Sequence, residues 1–119
     1  MPHLTIDHSS HLTGVFDLSV LVKELHRLVL DESGSAGVCK TLVRPVETYV
    51  GAMSSGQAGF VHLEVGLMPD RSEEQKARLS ESMLALLDRH LRAAGERGST
   101  VSVEVRELAG SYRLSSPGG

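Results

Sequence analysis

Residues 60–75 read FVHLEVGL, then MPDR, then SEEQ, and this stretch decides the fold. Phe60 to Leu67 is rich in β-branched and aromatic residues, which marks a strand. Met68-Pro69-Asp70 is a turn. Ser72-Glu73-Glu74-Gln75 is a capping box, in which Ser72 caps a helix and Gln75 reaches back to it. The two acids in that first turn suit the positive end of the helix dipole. Leu79, Met83, Leu86, Leu87, Leu91 and Ala94 then recur at helical spacing and form one apolar stripe. Gly95 or Gly98 ends the helix. Val101, Val103 and Val105 alternate with Ser102, Glu104 and Arg106, which is a strand.

Working outward, the first part of the chain repeats this layout. In the segment PHLTIDH, Leu4 and Ile6 share one face and Thr5 and Asp7 the other. Asp17 is a candidate N-cap for a helix whose apolar stripe is Leu18, Leu21, Val22, Leu25, Leu28 and Val29. Lys23, Glu24 and Arg27 fall on its polar side. DESGSAG closes that helix in a loop. Val38 to Val50 reads as a strand in which Pro45 marks an edge or a bulge. A single domain over residues 1–119 is expected, with β-α-β halves at about 2–50 and 57–107 and a loose tail over about 109–119. A helix between two strands favours parallel pairing. The expected architecture is α+β: a four-stranded sheet with two helices packed on one face. The other face is then uncovered. We expect Val and Leu on it, and a second subunit to cover it.

Composition bounds the function. The chain has 119 residues, enough for one domain burying roughly two-thirds of its unfolded surface. It contains two Phe, two Tyr and no Trp, so its core is aliphatic and modest. One cysteine excludes an internal disulfide framework and a four-thiolate zinc site. A net charge of −3 argues against a general nucleic-acid binder. No apolar run approaches the ~20 residues of a membrane span, and the start lacks a signal-peptide pattern. The expectation is a cytoplasmic protein with neither nucleic-acid nor membrane partners.

Six histidines raise the question of a metal. His3 and His8 point to opposite faces of their strand, and the spacing of the six fits no ligand pattern, so no metal is expected. They read as polar or surface imidazoles. Cys39 reads as a small buried residue, although Lys40 beside it is the kind of neighbour that lowers a thiol pKa. Pro2 is more informative. Removal of the initiator methionine before a small residue exposes a secondary amine fixed by the proline ring. Burial and nearby cations lower the pKa of such an amine from its ordinary value near 8, and a neutral amine is a general base.

Four stretches taken together carry a family resemblance: MPHLTIDHS, VETY, GFVHLEVGL and DRSEEQKARLSESMLALLDRHL. They resemble the 5-carboxymethyl-2-hydroxymuconate delta-isomerases of the tautomerase superfamily, from Pro2 to about Arg113. The resemblance implies a β-α-β repeat, a homotrimer, no cofactor, and an isomerase of aromatic-compound degradation. Its substrate would be a small unsaturated 2-hydroxy or 2-keto polycarboxylate. Pro2 would move a proton between carbons of that acid, taken from a carbon next to the carbonyl or from an enol hydroxyl, and Arg71 would bind a carboxylate or stabilise an enolate oxygen. Where the family carries an arginine in the third element, this chain has Lys40, which keeps the charge but loses the planar fork. Arg44 lies on the same strand face and is a second candidate for substrate binding. Two alternatives stay open: a dehalogenase or decarboxylase of the same superfamily, and a non-catalytic trimeric binding module.

Overall fold

The computed structural model describes residues 2–34, 39–47, 59–96, 98–115 and 117. The elements run β1 (His3–Ser9), a short 3₁₀ turn (Ser10–Leu12), α1 (Leu18–Ser33), β2 (Lys40–Val46), β3 (Phe60–Leu67), α2 (Glu73–Ala93) and β4 (Thr100–Glu107). The expected extension of β2 beyond Glu47, the loop at 35–37 and most of the SSPGG end lie outside the described residues.

Local chemistry sets both helices. The Asp17 carboxylate accepts the backbone N–H groups of Ser19 and Val20 and caps α1, and Gly34 closes it at φ 69°. Ser72 accepts Gln75 N–H at 3.0 Å while the Gln75 side chain accepts Ser72 N–H at 3.1 Å, so the capping box on α2 is complete. Gly95, at φ 79°, lets Glu96 N–H reach back to Leu91 O and end α2.

The four strands form one mixed sheet in the order β2-β1-β3-β4. β1 pairs parallel with β2 and antiparallel with β3, and β3 pairs parallel with β4. Both helices lie on one face. Leu4 and Ile6 of β1 and Val61, Leu63, Val65 and Leu67 of β3 meet Leu21, Leu25 and Val29 of α1 and Leu79, Met83, Leu86, Leu87 and Leu91 of α2 in one buried cluster. Ala94 is exposed because α2 ends before it. His8, read as a polar or surface imidazole, is buried on the helix side and donates Nδ1–H to Ser9 O at 2.9 Å.

The open face corrects the expectation of an apolar surface. The β4 valines pack toward the helices, against the core cluster. The residues that alternate with them, and their partners across the sheet, are mostly polar: His3, Thr5 and Asp7; Lys40 and Arg44; His62 and Glu64; Ser102, Glu104 and Arg106. Leu42 is the exposed aliphatic exception. Arg44 makes a two-pronged contact with Asp7 at 2.7 and 3.0 Å, and Arg106 holds Glu64 at 2.6 and 3.0 Å.

After β4 the chain folds back onto this face. Leu108 N–H donates to Leu67 O at 2.7 Å, its side chain lies over Gly66, and the Tyr112 hydroxyl meets the His3 ring.

Candidate active site

Pro2 is buried at the start of β1. Its carbonyl accepts the backbone N–H of Lys40 at 3.0 Å, which begins the β1–β2 pairing. Lys40 is the register partner of His3, so the two side chains share the open face. On the other side of β1, His3 pairs with Gly66, one residue before β3 ends. The chain leaves β3 there, turns through Asp70 at φ 78°, and presents Arg71 immediately before the Ser72 cap. Pro2, Lys40 and Arg71 therefore belong to one end of the sheet. Arg71 is half-buried, next to the α2 N-terminus, where free backbone N–H groups also favour anions.

Arg44 does not join them within one chain. It lies four residues along β2 and is engaged by Asp7, whose carboxyl it holds below the ordinary range chiefly through their hydrogen bond. Cys39 is half-buried against the core, and burial pushes its thiol up.

Two features escaped the sequence reading. The first is His3 with Tyr112: Nε2 lies 3.2 Å from the hydroxyl, with the rings edge to face at 5.1 Å. Burial, and then the Lys40 charge, lower the His3 pKa from 6.5. Its only sequence signal was a tyrosine in an otherwise polar tail. The second is a group on the open face. His62, Glu64 and Glu104 bring potential ligand atoms within 4.8 Å of one another. His62 is already bonded to Ser102 at 2.7 Å and Glu64 to Arg106. Only the strand register brings them together, which spacing along the chain does not reveal.

A surface cleft between α1 and α2 is lined by Glu24, Asp31, Arg27 and Arg89, whose charges offset one another, and it lies away from Pro2. No helix among the described residues is long and apolar enough to cross a membrane.

Comparison with known proteins agrees with this fold. A 5-carboxymethyl-2-hydroxymuconate isomerase from Deinococcus radiodurans R1 superposes with a TM-score of 0.81 at 25% identity, covering 97% of this chain and 90% of that one. A 5-carboxymethyl-2-hydroxymuconate delta-isomerase follows at 0.78 and 21%, covering 97% and 87%. A fused 4-OT symmetric trimer shares the fold at 0.72 and 12%, covering 98% and 94%. No curated protein matches significantly. Two β-α-β halves in one mixed sheet, matched to these structures, define an isomerase of the tautomerase superfamily. Residues 2–116 match the family of 5-carboxymethyl-2-hydroxymuconate isomerase. The chain belongs to that family.

Proposed function

We propose that the protein is a cofactor-independent, cytoplasmic isomerase of aromatic-compound degradation whose base is the amine of Pro2, freed by removal of Met1. The substrate is an unsaturated 2-hydroxy polycarboxylate of the 5-carboxymethyl-2-hydroxymuconate type. Neutral Pro2 takes the proton of the enol hydroxyl, leaving a dienolate. Arg71 and Lys40 hold the negative oxygen and a carboxylate; such preorganised charge is often worth several kcal/mol of barrier. The protonated amine then delivers its proton to a carbon of the dienolate, which completes the ketone and restores the neutral base. The observation that carries this reading is the Pro2 O to Lys40 N–H bond, which fixes a cationic residue beside the amine-bearing residue. A nearby cation also disfavours the ammonium and keeps the base neutral.

The working form is a homotrimer in this reading. Support comes from the description of one structural neighbour as a symmetric trimer, and from the edge strands β2 and β4, whose outer sides pair with no strand among the described residues. Gel filtration at micromolar concentration tests this, and a monomeric peak overturns it.

The chemistry is tested by ultraviolet assay of ketonisation with the wild type, Pro2→Ala and Arg71→Ala, on mono-, di- and tricarboxylate dienols. Pro2→Ala is expected to lose about 10²–10⁴-fold. Arg71→Ala is expected to lose about 10²–10³-fold. Full activity of Pro2→Ala, or of a preparation retaining Met1, overturns the role of Pro2.

A further inference from the structure

The segment after β4 makes a series of specific contacts that the proposed chemistry does not use. Leu108 N–H extends the β3–β4 pairing by donating to Leu67 O. Its side chain rests over Gly66, where an added Cβ would come within 2.7 Å of Leu108 Cδ2 and 3.9 Å of His3 Cβ. Tyr112 N–H then donates to Ala109 O at 2.9 Å, closing a turn. Arg113 tightens that turn by donating from Nη1 to Gly110 O and Tyr112 O at 3.0 and 2.9 Å. The turn delivers the Tyr112 hydroxyl to His3, 109 residues away in sequence. His3 follows Pro2 directly and stands opposite Lys40.

We propose that Tyr112 is a positioning residue. Through His3, the strap formed by Leu108 to Arg113 holds the first residues of β1 and the paired Lys40 backbone in place for proton transfer at Pro2. The catalytic part of this inference rests on Pro2 being the base, whereas the mechanical part does not. Main-chain pairing to β2 and β3 also holds these residues, and strand ends fray readily. A long-range side-chain bond backed by an edge-to-face ring contact opposes that fraying.

The groups around His3 fix the electrostatic consequence. Lys40 faces it from β2, Gly66 offers no side chain from β3, Arg106 beyond Gly66 is held by Glu64, and the tail contributes Tyr112. Burial and Lys40 both favour the neutral ring. Full stability is therefore present above about 6.5, the ordinary histidine value, and is lost as pH falls from there toward the lowered folded value. With the strap in place, His3 adds no charge beside Pro2 at neutral pH. When the strap is lost, His3 is more solvated and becomes charged at higher pH.

The experiment compares Tyr112→Phe and Tyr112→Ala with the wild type in three readouts: hydrogen exchange of the Lys40 amide, the NMR titration of His3, and kcat/KM against pH. Tyr112→Phe keeps the ring and loses the bond, and is expected to raise Lys40 exchange by about three- to tenfold. Tyr112→Ala is expected to raise it further and to return the His3 titration toward 6.5. It is also expected to move the acid limb of kcat/KM to lower pH, because an imidazolium beside Pro2 repels a proton from its amine. Unchanged Lys40 exchange in Tyr112→Ala overturns the proposal. So does an unmoved acid limb accompanied by faster exchange throughout α1 and β3, since that is general loosening. If Pro2→Ala is fully active while Lys40 exchange still responds to Tyr112, the Pro2 reading fails and the strap remains.

Discussion

The backbone N–H of Lys40 donates to the carbonyl of Pro2 at 3.0 Å, so the position of this cation is fixed by main-chain pairing rather than by its own flexible side chain. The alternation of β2 then puts the lysine on the open face with His3. Lys40→Met is expected to lower kcat/KM on polycarboxylate dienols by roughly 10²-fold through lost charge stabilisation. Lys40→Arg keeps the charge and adds a bidentate fork, so it is expected to retain activity and to shift preference toward substrates with a planar carboxylate at that position. Steady-state kinetics on mono- and tricarboxylate dienols check both outcomes. A fully active Lys40→Met removes Lys40 from the site.

Arg71 precedes the Ser72 cap, and the turn before it passes through the left-handed Asp70. The capping box therefore orders the backbone that carries Arg71. Ser72→Ala removes the acceptor for Gln75 N–H and is expected to cost about 1 kcal/mol of stability in urea unfolding. It should also raise KM more than it lowers kcat, because a loosened Arg71 weakens ground-state binding of a carboxylate. A stability loss with unchanged KM separates the cap from the site.

The helices and β3 were legible because their signals are local. Periodicity picked out Leu79, Met83, Leu86, Leu87 and Leu91, and all five are buried. Asp17 and Ser72 cap as their residue types dictate. What was not legible depends on pairing between distant strands. The side of the sheet taken by the β4 valines, the polar character of the open face, and the grouping of His62 with Glu104 all follow from the β3–β4 register. Arg44 shows the limit clearly. It shares a strand face with Lys40, as read, but at about 3.3 Å per residue it lies roughly 13 Å further along, where Asp7 holds it. The Tyr112 contact with His3 joins the two ends of the chain and has no periodic signature at all.

The Asp7–Arg44 pair predicts a specific acid response. Hydrogen bonding by Arg44 is the largest cause lowering the Asp7 pKa, so its contribution to stability is present above the ordinary aspartate value near 3.9. It is lost as pH falls through the lower folded value. Arg44 is largely solvent-exposed and Asp7 partly so, and the contribution of the pair is small. Urea midpoints of the wild type and Arg44→Met are expected to differ slightly at pH 7 and to converge as the pH falls below the ordinary aspartate value. A difference that persists at acid pH assigns the role of Arg44 to packing of its stem along the sheet.

Cys39 precedes Lys40, yet burial raises its thiol pKa. The thiolate is the reactive form, so the native protein at pH 8 is expected to alkylate with iodoacetamide several-fold more slowly than the same protein in urea. Equal rates would mean that Cys39 is exposed in solution and that β2 begins later than Lys40.

Gly66 links the sheet to the strap, and the prediction there is one of coupling. A Cβ at Gly66 would meet Leu108 Cδ2 at 2.7 Å. That atom is the end of a half-buried side chain, so Gly66→Ala is accommodated by moving Leu108 rather than by breaking the sheet. The expected cost is about 1 kcal/mol, the low end for overpacking. Leu108→Ala loses part of its own burial and opens the space that the new methyl needs. The double variant is therefore expected to be more stable than the sum of the two single changes, by at least about 0.5 kcal/mol in a double-mutant cycle. The same cycle read through Lys40 amide exchange should show Gly66→Ala loosening the first residues of β1 and Leu108→Ala adding little to it, because both displace the same strap. Strict additivity in both readouts would show that Leu108 does not rest on Gly66 in solution, and the strap would then be anchored by Tyr112 alone.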